Sequence, residues 1–379
     1  MAQRVKTDWT LFGVTVGMVC LGLVMVYSTS SVMAELRYRS GPSIFLRQLG
    51  WAVASVGAMM WLRKRSYRVL DSPAWAFTTL GLVLVALIAV YFLDARTHRW
   101  FRLGPASLQP AEFAKPALIV FLAWFVSARS RNIESRHTWL PASMALAVLA
   151  ATVIAPDFGT AVVLVAIAAA VFYVAGFPRI YFAVALAAAL LLGSAAVIWK
   201  PYRLGRVIAF VDPEHRILNR IDPDQHILNY VKSGSSQRDP GYQARQSKIA
   251  VGTGGVFGLG LMQGVMKLLY LPEAHNDFIY AVVGEELGLL GTTAILAGFI
   301  IILWRGLRLF WMVPDDFGRY LALGVTVSVV VQAFINMSVV LDLGPTKGIP
   351  LPMISAGGSS LLSTLMSLGI LLNVSDHCG

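Results

Sequence analysis

Apolar stretches of about twenty residues recur along this chain, and that feature decides most of what it can fold into. They occupy 9–32, 44–62, 72–93, 111–128, 139–155, 159–176, 180–199, 276–304, 317–341 and 349–373. A helix needs about 20 apolar residues to cross the hydrocarbon of a bilayer, where no water satisfies open backbone groups. The expected fold is therefore an all-α polytopic membrane protein with about ten transmembrane helices, residues 1–379 forming a single integral-membrane domain. Composition agrees, at 57% hydrophobic and only 13% charged residues, less charge than a soluble surface carries. A net charge of +11 on a soluble chain would suggest a nucleic-acid partner. Here it points to the membrane surface or an anionic substrate, and no nucleic-acid signature is present.

Local signals refine this outline. The stretch from Trp9 to Tyr27 is longer than the apolar region of a cleaved leader and reads as an uncleaved first span. "APDFG" at 155–159 breaks one long apolar run into two helices joined by a tight turn. Lys and Arg are in modest excess on the side of the termini, which predicts that both termini are cytoplasmic. Cys20 and Cys378 are not expected to pair, and no zinc spacing occurs.

One connection is long. Residues 200–268 form a large extracytoplasmic loop between helices seven and eight, with ten Lys/Arg against five acids. It holds an imperfect repeat, "DPEHRILN" at 212–219 and "DPDQHILN" at 222–229, then "GYQARQSKIA", which reads as a short amphipathic helix. The glycine-rich "VGTGGVFGLGLMQG" permits tight turns and close approach of backbone to a ligand, or is a re-entrant connector.

Polar residues then gather at the outer ends of the spans. In "YLPEAHNDFIYAVVGEELG", 270–288, a helix beginning near His275 sets Asp277 on one face with Gly284 and Gly288. That small-residue face admits a neighbouring helix. Glu285 and Glu286 are expected to be paired inside the bundle, since carboxylates facing lipid are costly. "RWFRLGPASLQPAEFAK", 99–115, brings Trp100 and Arg102 to an outer loop and sets Glu112 and Lys115 three residues apart on one helix face. "GPTKGIPLPMISAGGSSLL", 344–362, presents Lys347 on a turn whose prolines and glycines imply backbone lining a cavity. In "PDFGTA", 156–161, Asp157 reads as a helix cap. An outer face this basic, set in a membrane, suits a lipid-tailed anionic substrate.

These four motifs, in this order over nearly the whole chain, resemble the SEDS family (shape, elongation, division and sporulation proteins), and their wording is more like the FtsW branch than the RodA branch. The resemblance implies a glycosyltransferase that polymerises lipid II, the lipid-linked peptidoglycan precursor, at the outer face of the bacterial cytoplasmic membrane. Its partners would be lipid II, the lipid-linked glycan chain, a class B penicillin-binding transpeptidase and other divisome or elongasome membrane proteins. Asp277 falls on the family's catalytic aspartate and Lys347 on its loop lysine. Trp100, Glu112 and Lys115 fall on its loop tryptophan and its helix-four acid and base. Arg102, His275, Arg245, Lys248 and Ser359 complete the candidate substrate-binding set. Three positions depart from the family pattern: Asn276 where Thr is usual, Ala356 for a common Tyr, and Leu269 where some division-type members carry Glu.

The mechanism this implies is inverting glycosyl transfer, with Asp277 as general base. Lys347, loop arginines or a divalent cation such as magnesium would stabilise the departing pyrophosphate. A lipid II flippase and a non-catalytic scaffold for the transpeptidase are the rival readings.

Overall fold

The computed structural model describes residues 8–37, 43–94, 97–103, 106–214, 216–222, 224–234, 241–267, 271–272 and 274–377. Leu269, Glu273 and Cys378 lie outside the described residues. Ten long helices form the membrane body: α1 (Trp9–Arg37), α2 (Ser43–Arg63), α3 (Pro73–Leu93), α4 (Pro110–Ser127), α5 (Arg136–Ile154), α6 (Phe158–Ala175), α7 (Arg179–Ile198), then α12 (Ile279–Met312), α13 (Asp316–Val340) and α14 (Gly358–Asp376). Nine of them are both long and apolar enough to cross a membrane among the described residues. The tenth, α2, has 21 residues, about 31 Å at 1.5 Å per residue, and lies along α14.

Helix ends follow local chemistry. Ser72 accepts a bond from the Trp75 N–H ahead of Pro73 at the first helical position, and Gly176 closes α6 in the left-handed region at φ 82°. Asp157 caps α6 through the Thr160 N–H, as the sequence suggested.

Helices α4, α13 and α14 are the most enclosed spans. One core joins α1, α2, α12, α13 and α14, and a second joins α3 to α6. By contrast α7 buries no residue, and its Leu190, Leu191 and Leu192 are exposed. Such a surface suits contact with lipid. At the end of the bundle that holds the start of α1 and the end of α14, Arg63 stands over Trp9, Arg65 over Trp61 and Arg305 over Trp304. This is the aromatic and basic composition of a membrane interface. Two ion pairs tie that end together, Arg305 to Asp8 at 2.6 Å and Arg63 to Asp376 at 3.0 Å.

The connection from α7 to α12 is largely helical: α8 (Pro201–Val211), α9 (Arg216–Ile221), α10 (His226–Gly234) and α11 (Tyr242–Gly254). The sequence repeat proves to be a capping repeat. Asp212 accepts the Arg216, Ile217 and Leu218 N–H groups at the start of α9. Asp222 accepts those of His226 and Ile227 at the start of α10.

The glycine-rich segment after α11 approaches backbone, not a ligand. Leu259 N–H donates to Glu285 O and Gly260 N–H to Glu286 O, while Leu289 N–H donates back to Gly255 O. These bonds lie beside a break in α12 at Gly288, whose φ of 65° and ψ of −157° are not helical. A Cβ on Gly258 would lie 2.1 Å from Glu286 O. Both carboxylates that follow Gly284 are consumed here. Glu285 accepts the Val265 and Met266 N–H groups. Glu286 pairs with Lys267 at 2.6 Å and accepts from Ser28 at 2.7 Å, all buried. The expectation that both acids are partnered inside the bundle is met. The neighbour expected at Gly284 is α11: a Cβ on Gly284 would lie 3.0 Å from the Val251 side chain.

Candidate active site

The site lies at the bundle end opposite the Arg–Trp belt. The expected helix start near His275 is corrected: residues 274–278 form turns and α12 begins at Ile279. Asp277 thus sits on a loop, and its position is set by neighbours. Three consecutive carbonyls are held by three different donors. His275 O accepts from Ala356 N–H at 2.9 Å. Asn276 O accepts from Ser355 Oγ at 2.6 Å, and Asp277 O from Asn336 Nδ2 at 2.7 Å. The same Asn336 nitrogen donates to Ile349 O at 2.7 Å. The loops 275–277 and 348–356 are therefore locked to each other and to α13.

At positions 276 and 356 these bonds use main-chain groups, the Asn276 carbonyl and the Ala356 N–H, which other residue types also supply.

The Asp277 carboxylate faces the Lys347 loop. A Cβ on Gly348 would lie 2.6 Å from Asp277 Oδ2, so a larger residue there would displace the carboxylate. Lys347 Nζ lies 4.0 Å from the centre of the Phe158 ring. Burial, and then the charge of Arg203, pull its pKa down to about 8. Arg203 and Arg206 reach this region from α8. Arg203 stands over Phe158 at 5.3 Å, and Arg206 Nη1 donates to Thr346 O at 3.3 Å. Burial lowers the Arg206 pKa from its usual range, opposed by the charges of Tyr202 and Asp277.

Beneath these loops, α4 and α13 form a buried polar strut. Lys115 pairs with Glu112 at 2.8 Å and also meets Gln332 Oε1. Gln332 Nε2 donates to Pro350 O at 2.9 Å. Pro116 lacks the N–H that would bond to the Glu112 carbonyl, and Ser363 Oγ of α14 donates to that carbonyl instead, at 2.7 Å. Gln332 and Asn336, four apart on α13, were missed in the sequence. Their signal was present, since two amides on one face of an apolar span point to the bundle interior.

The remaining candidates are distributed. Arg102 lies in a short strand pair, β1 (Phe101–Leu103) antiparallel with β2 (Ala106–Leu108), and Trp100 immediately precedes it. Trp100 N–H donates to Asp94, and the neighbouring Arg99 binds Asp157 at 2.9 Å. Lys248 of α11 pairs with Asp342 at 2.5 Å, while Arg245 is exposed on the same helix. Ser359 is buried in the first turn of α14. The structure thus brings Asp277, His275, Lys347, Arg203 and Arg206 together. Glu112 and Lys115 lie below them, and the strand pair and α11 flank them. Among the described residues no three His, Cys, Asp or Glu side chains converge.

Comparison with known proteins agrees with this architecture. The FtsW/RodA/SpoVE profile, described as cell cycle protein, matches residues 8–378. The probable peptidoglycan glycosyltransferase FtsW of Trichlorobacter lovleyi is 37% identical over 377 residues, covering 97% of this chain and 93% of that protein. Stage V sporulation protein E of Bacillus subtilis is 36% identical, covering 99% and 98%. Among solved structures, a chain from a peptidoglycan synthase complex that coordinates polymerization and crosslinking superposes with a TM-score of 0.72 at 26% identity, over 97% of both chains. The rod shape determining protein RodA of Thermus thermophilus shares the fold, with a TM-score of 0.65 at 23% identity over 97% of this chain and 96% of that one. A polytopic helical body, a loop aspartate whose carboxylate faces the loop that carries Lys347, and sequence similarity over the full length lead to one conclusion: this chain belongs to the FtsW/RodA/SpoVE family of cell cycle proteins.

Proposed function

We propose that the chain is a peptidoglycan glycosyltransferase that polymerises lipid II by inverting transfer at the outer face of the cytoplasmic membrane, with both termini in the cytoplasm. The observation that carries this reading is the contact of the Asp277 carboxylate with Gly348, beside Lys347 and within the field of Arg206. A base and a cationic surface on one rigid loop pair are what such a transfer requires. Asp277 takes the proton from the 4-hydroxyl of the acceptor N-acetylglucosamine. That oxygen forms a bond to C1 of the muramyl sugar at the reducing end of the lipid-linked chain. The C1–O bond to pyrophosphate breaks, and undecaprenyl pyrophosphate leaves with the electron pair. General-base help of this kind supplies about 10²–10⁴-fold, and fixed cations at the leaving group act most strongly where water is scarce. Trp100, Arg102, Arg245, Lys248, His275 and Ser359 border the substrate path in this reading, and Glu112 and Lys115 support it from below. The Arg–Trp belt at the termini end supports a cytoplasmic assignment for that end. Similarity to a chain from a peptidoglycan synthase complex supports a class B penicillin-binding protein as partner.

The test is purified protein with lipid II in detergent, where flipping has no meaning. Glycan ladders that vanish in Asp277→Asn support the reading. Full polymerisation by Asp277→Asn overturns the assignment of the base. A wild-type protein that makes no glycan, with or without its cognate transpeptidase, overturns the activity.

A further inference from the structure

The motif at 156–161 carries a side chain that the reaction has not used, Phe158. Its neighbours in the motif are structural. Asp157 caps α6 and is bound by Arg99 and Gln109. Gly159 lets the Lys347 loop come close, since a Cβ there would collide with the Ile349 side chain. Phe158 opens α6 between them and is half-buried. Two cations stand over its ring, Lys347 Nζ at 4.0 Å and the Arg203 guanidinium at 5.3 Å from the centroid. Both are inside the reach of a cation–π contact, about 6 Å.

The two cations are held differently. Arg203 is anchored by hydrogen bonds to the Ile154, Ala155 and Ala196 carbonyls. Lys347 has no such anchor. Among the described residues its ammonium forms no hydrogen bond or ion pair, and the Phe158 ring is what it meets. Lysine carries its charge on a flexible four-carbon stem. The head is therefore free to turn toward the Asp277 carboxylate, which lies against the next residue, Gly348. Pairing there would favour the charged carboxylate and make it a poorer base. Burial and the charge of Arg203 both penalise the ammonium where it stands, so the attraction of the ring face works against a cost.

We propose that Phe158 is a positioning residue for the transfer: its ring face holds the Lys347 ammonium and keeps it from closing onto the Asp277 carboxylate, so that base and cation stand side by side without neutralising each other. The inference rests on the polymerase reading and adds to it a residue that acts through Lys347.

A phenylalanine ring shifts the magnetic resonance of a group lying over its face upfield, so the placement of Lys347 is observed without turnover. Lysines of the full-length protein in detergent are converted to carbon-13 dimethyl-lysine, and the Lys347 signal is identified by its loss in Lys347→Arg. It is expected upfield of the exposed lysines in wild type and among them in Phe158→Leu. A wild-type signal already among the exposed lysines, as when the ammonium pairs with a carboxylate instead, overturns the proposal. The second readout is polymerisation of lipid II by proteins with mono-, di- and trifluorinated phenylalanine at position 158. Fluorine drains negative potential from the ring face and keeps its shape. The kcat is expected to fall stepwise, about two- to thirtyfold over the series, with KM and the unfolding temperature little changed. A flat series overturns the proposal, and this series decides where Phe158→Leu fails to fold. Wild-type protein that makes no glycan from lipid II overturns the polymerase reading instead, and the Lys347 signal then still decides where the ammonium lies.

Discussion

Asn336 holds Asp277 and Ile349 together, its side-chain nitrogen lying 2.7 Å from both carbonyl oxygens. One amide thus sets the spacing between the loop that carries the carboxylate and the loop that carries Lys347. Asn336→Ala removes both bonds, and a displacement of about 1 Å at a reacting group costs on the order of 10²-fold. The expected result is a loss of that size in kcat with a smaller change in KM. Asn336→Asp is expected to be worse, because a carboxylate would face two carbonyl oxygens. Polymerisation of lipid II by both variants, with thermal unfolding as a control for folding, checks this.

Lys347 gives the site a pH limit. Its pKa is lowered to about 8, so it is cationic below that pH and loses its charge as pH rises through it. Polymerase activity should therefore fall on the alkaline side around pH 8, ahead of the ordinary lysine range. Lys347→Arg should move that limb upward, since guanidinium keeps its proton. The linkage to stability has the opposite sign. Folding costs Lys347 its easy protonation, and that cost fades between pH 8 and the unfolded lysine value. A kcat/KM profile from pH 6 to 10 for both proteins is the measurement.

The Glu112–Lys115 pair is buried on both sides. Removing one partner leaves a charge in the bundle, at a cost of about 3–5 kcal/mol. Glu112→Gln and Lys115→Met should each lower the unfolding temperature markedly, and the double variant should lose much less than the sum of the two. Thermal unfolding in detergent of the three variants closes the cycle.

Two glycines make a matched pair. Gly258→Ala sets a Cβ 2.1 Å from Glu286 O at a φ of 81°, so the loop must leave α12, and a cost of several kcal/mol is expected. Gly252→Ala lies within α11 with nothing within 4 Å of its Cβ, and should stabilise by about 0.5–1 kcal/mol. Unfolding midpoints of the two variants should move in opposite directions.

What could be read from the sequence follows from the range of each interaction. Spans, turns and caps are local, so the apolar runs, the break at Asp157 and the pairing of Glu285 and Glu286 were visible. Asp277 and Lys347 came from motif wording, and the approach of the Asp277 carboxylate to Gly348 is long-range, so no spacing encodes it. Arg206 was one of many basic residues in the outer loop, and what separates it from Arg216 or Arg220 is the bond to Thr346. The break at Gly288 escaped because residues 276–304 were read as one span, with Glu285 and Glu286 placed inside the bundle. It is created by hydrogen bonds to residues 255–260, which lie far back in the chain. Gln332 and Asn336 were legible and passed over, as amides in a span otherwise read only for length.

The paired aspartates at 212 and 222 have a consequence for the history of the outer loop. Each ends one helix-sized unit and supplies the hydrogen bonds that begin the next, so a unit of this kind carries its own terminus with it. A copy of such a unit would bring its own helix start with it, whereas α10 also docks on the membrane body, its Tyr230 hydroxyl donating to the Ile198 and Trp199 carbonyls at the end of α7.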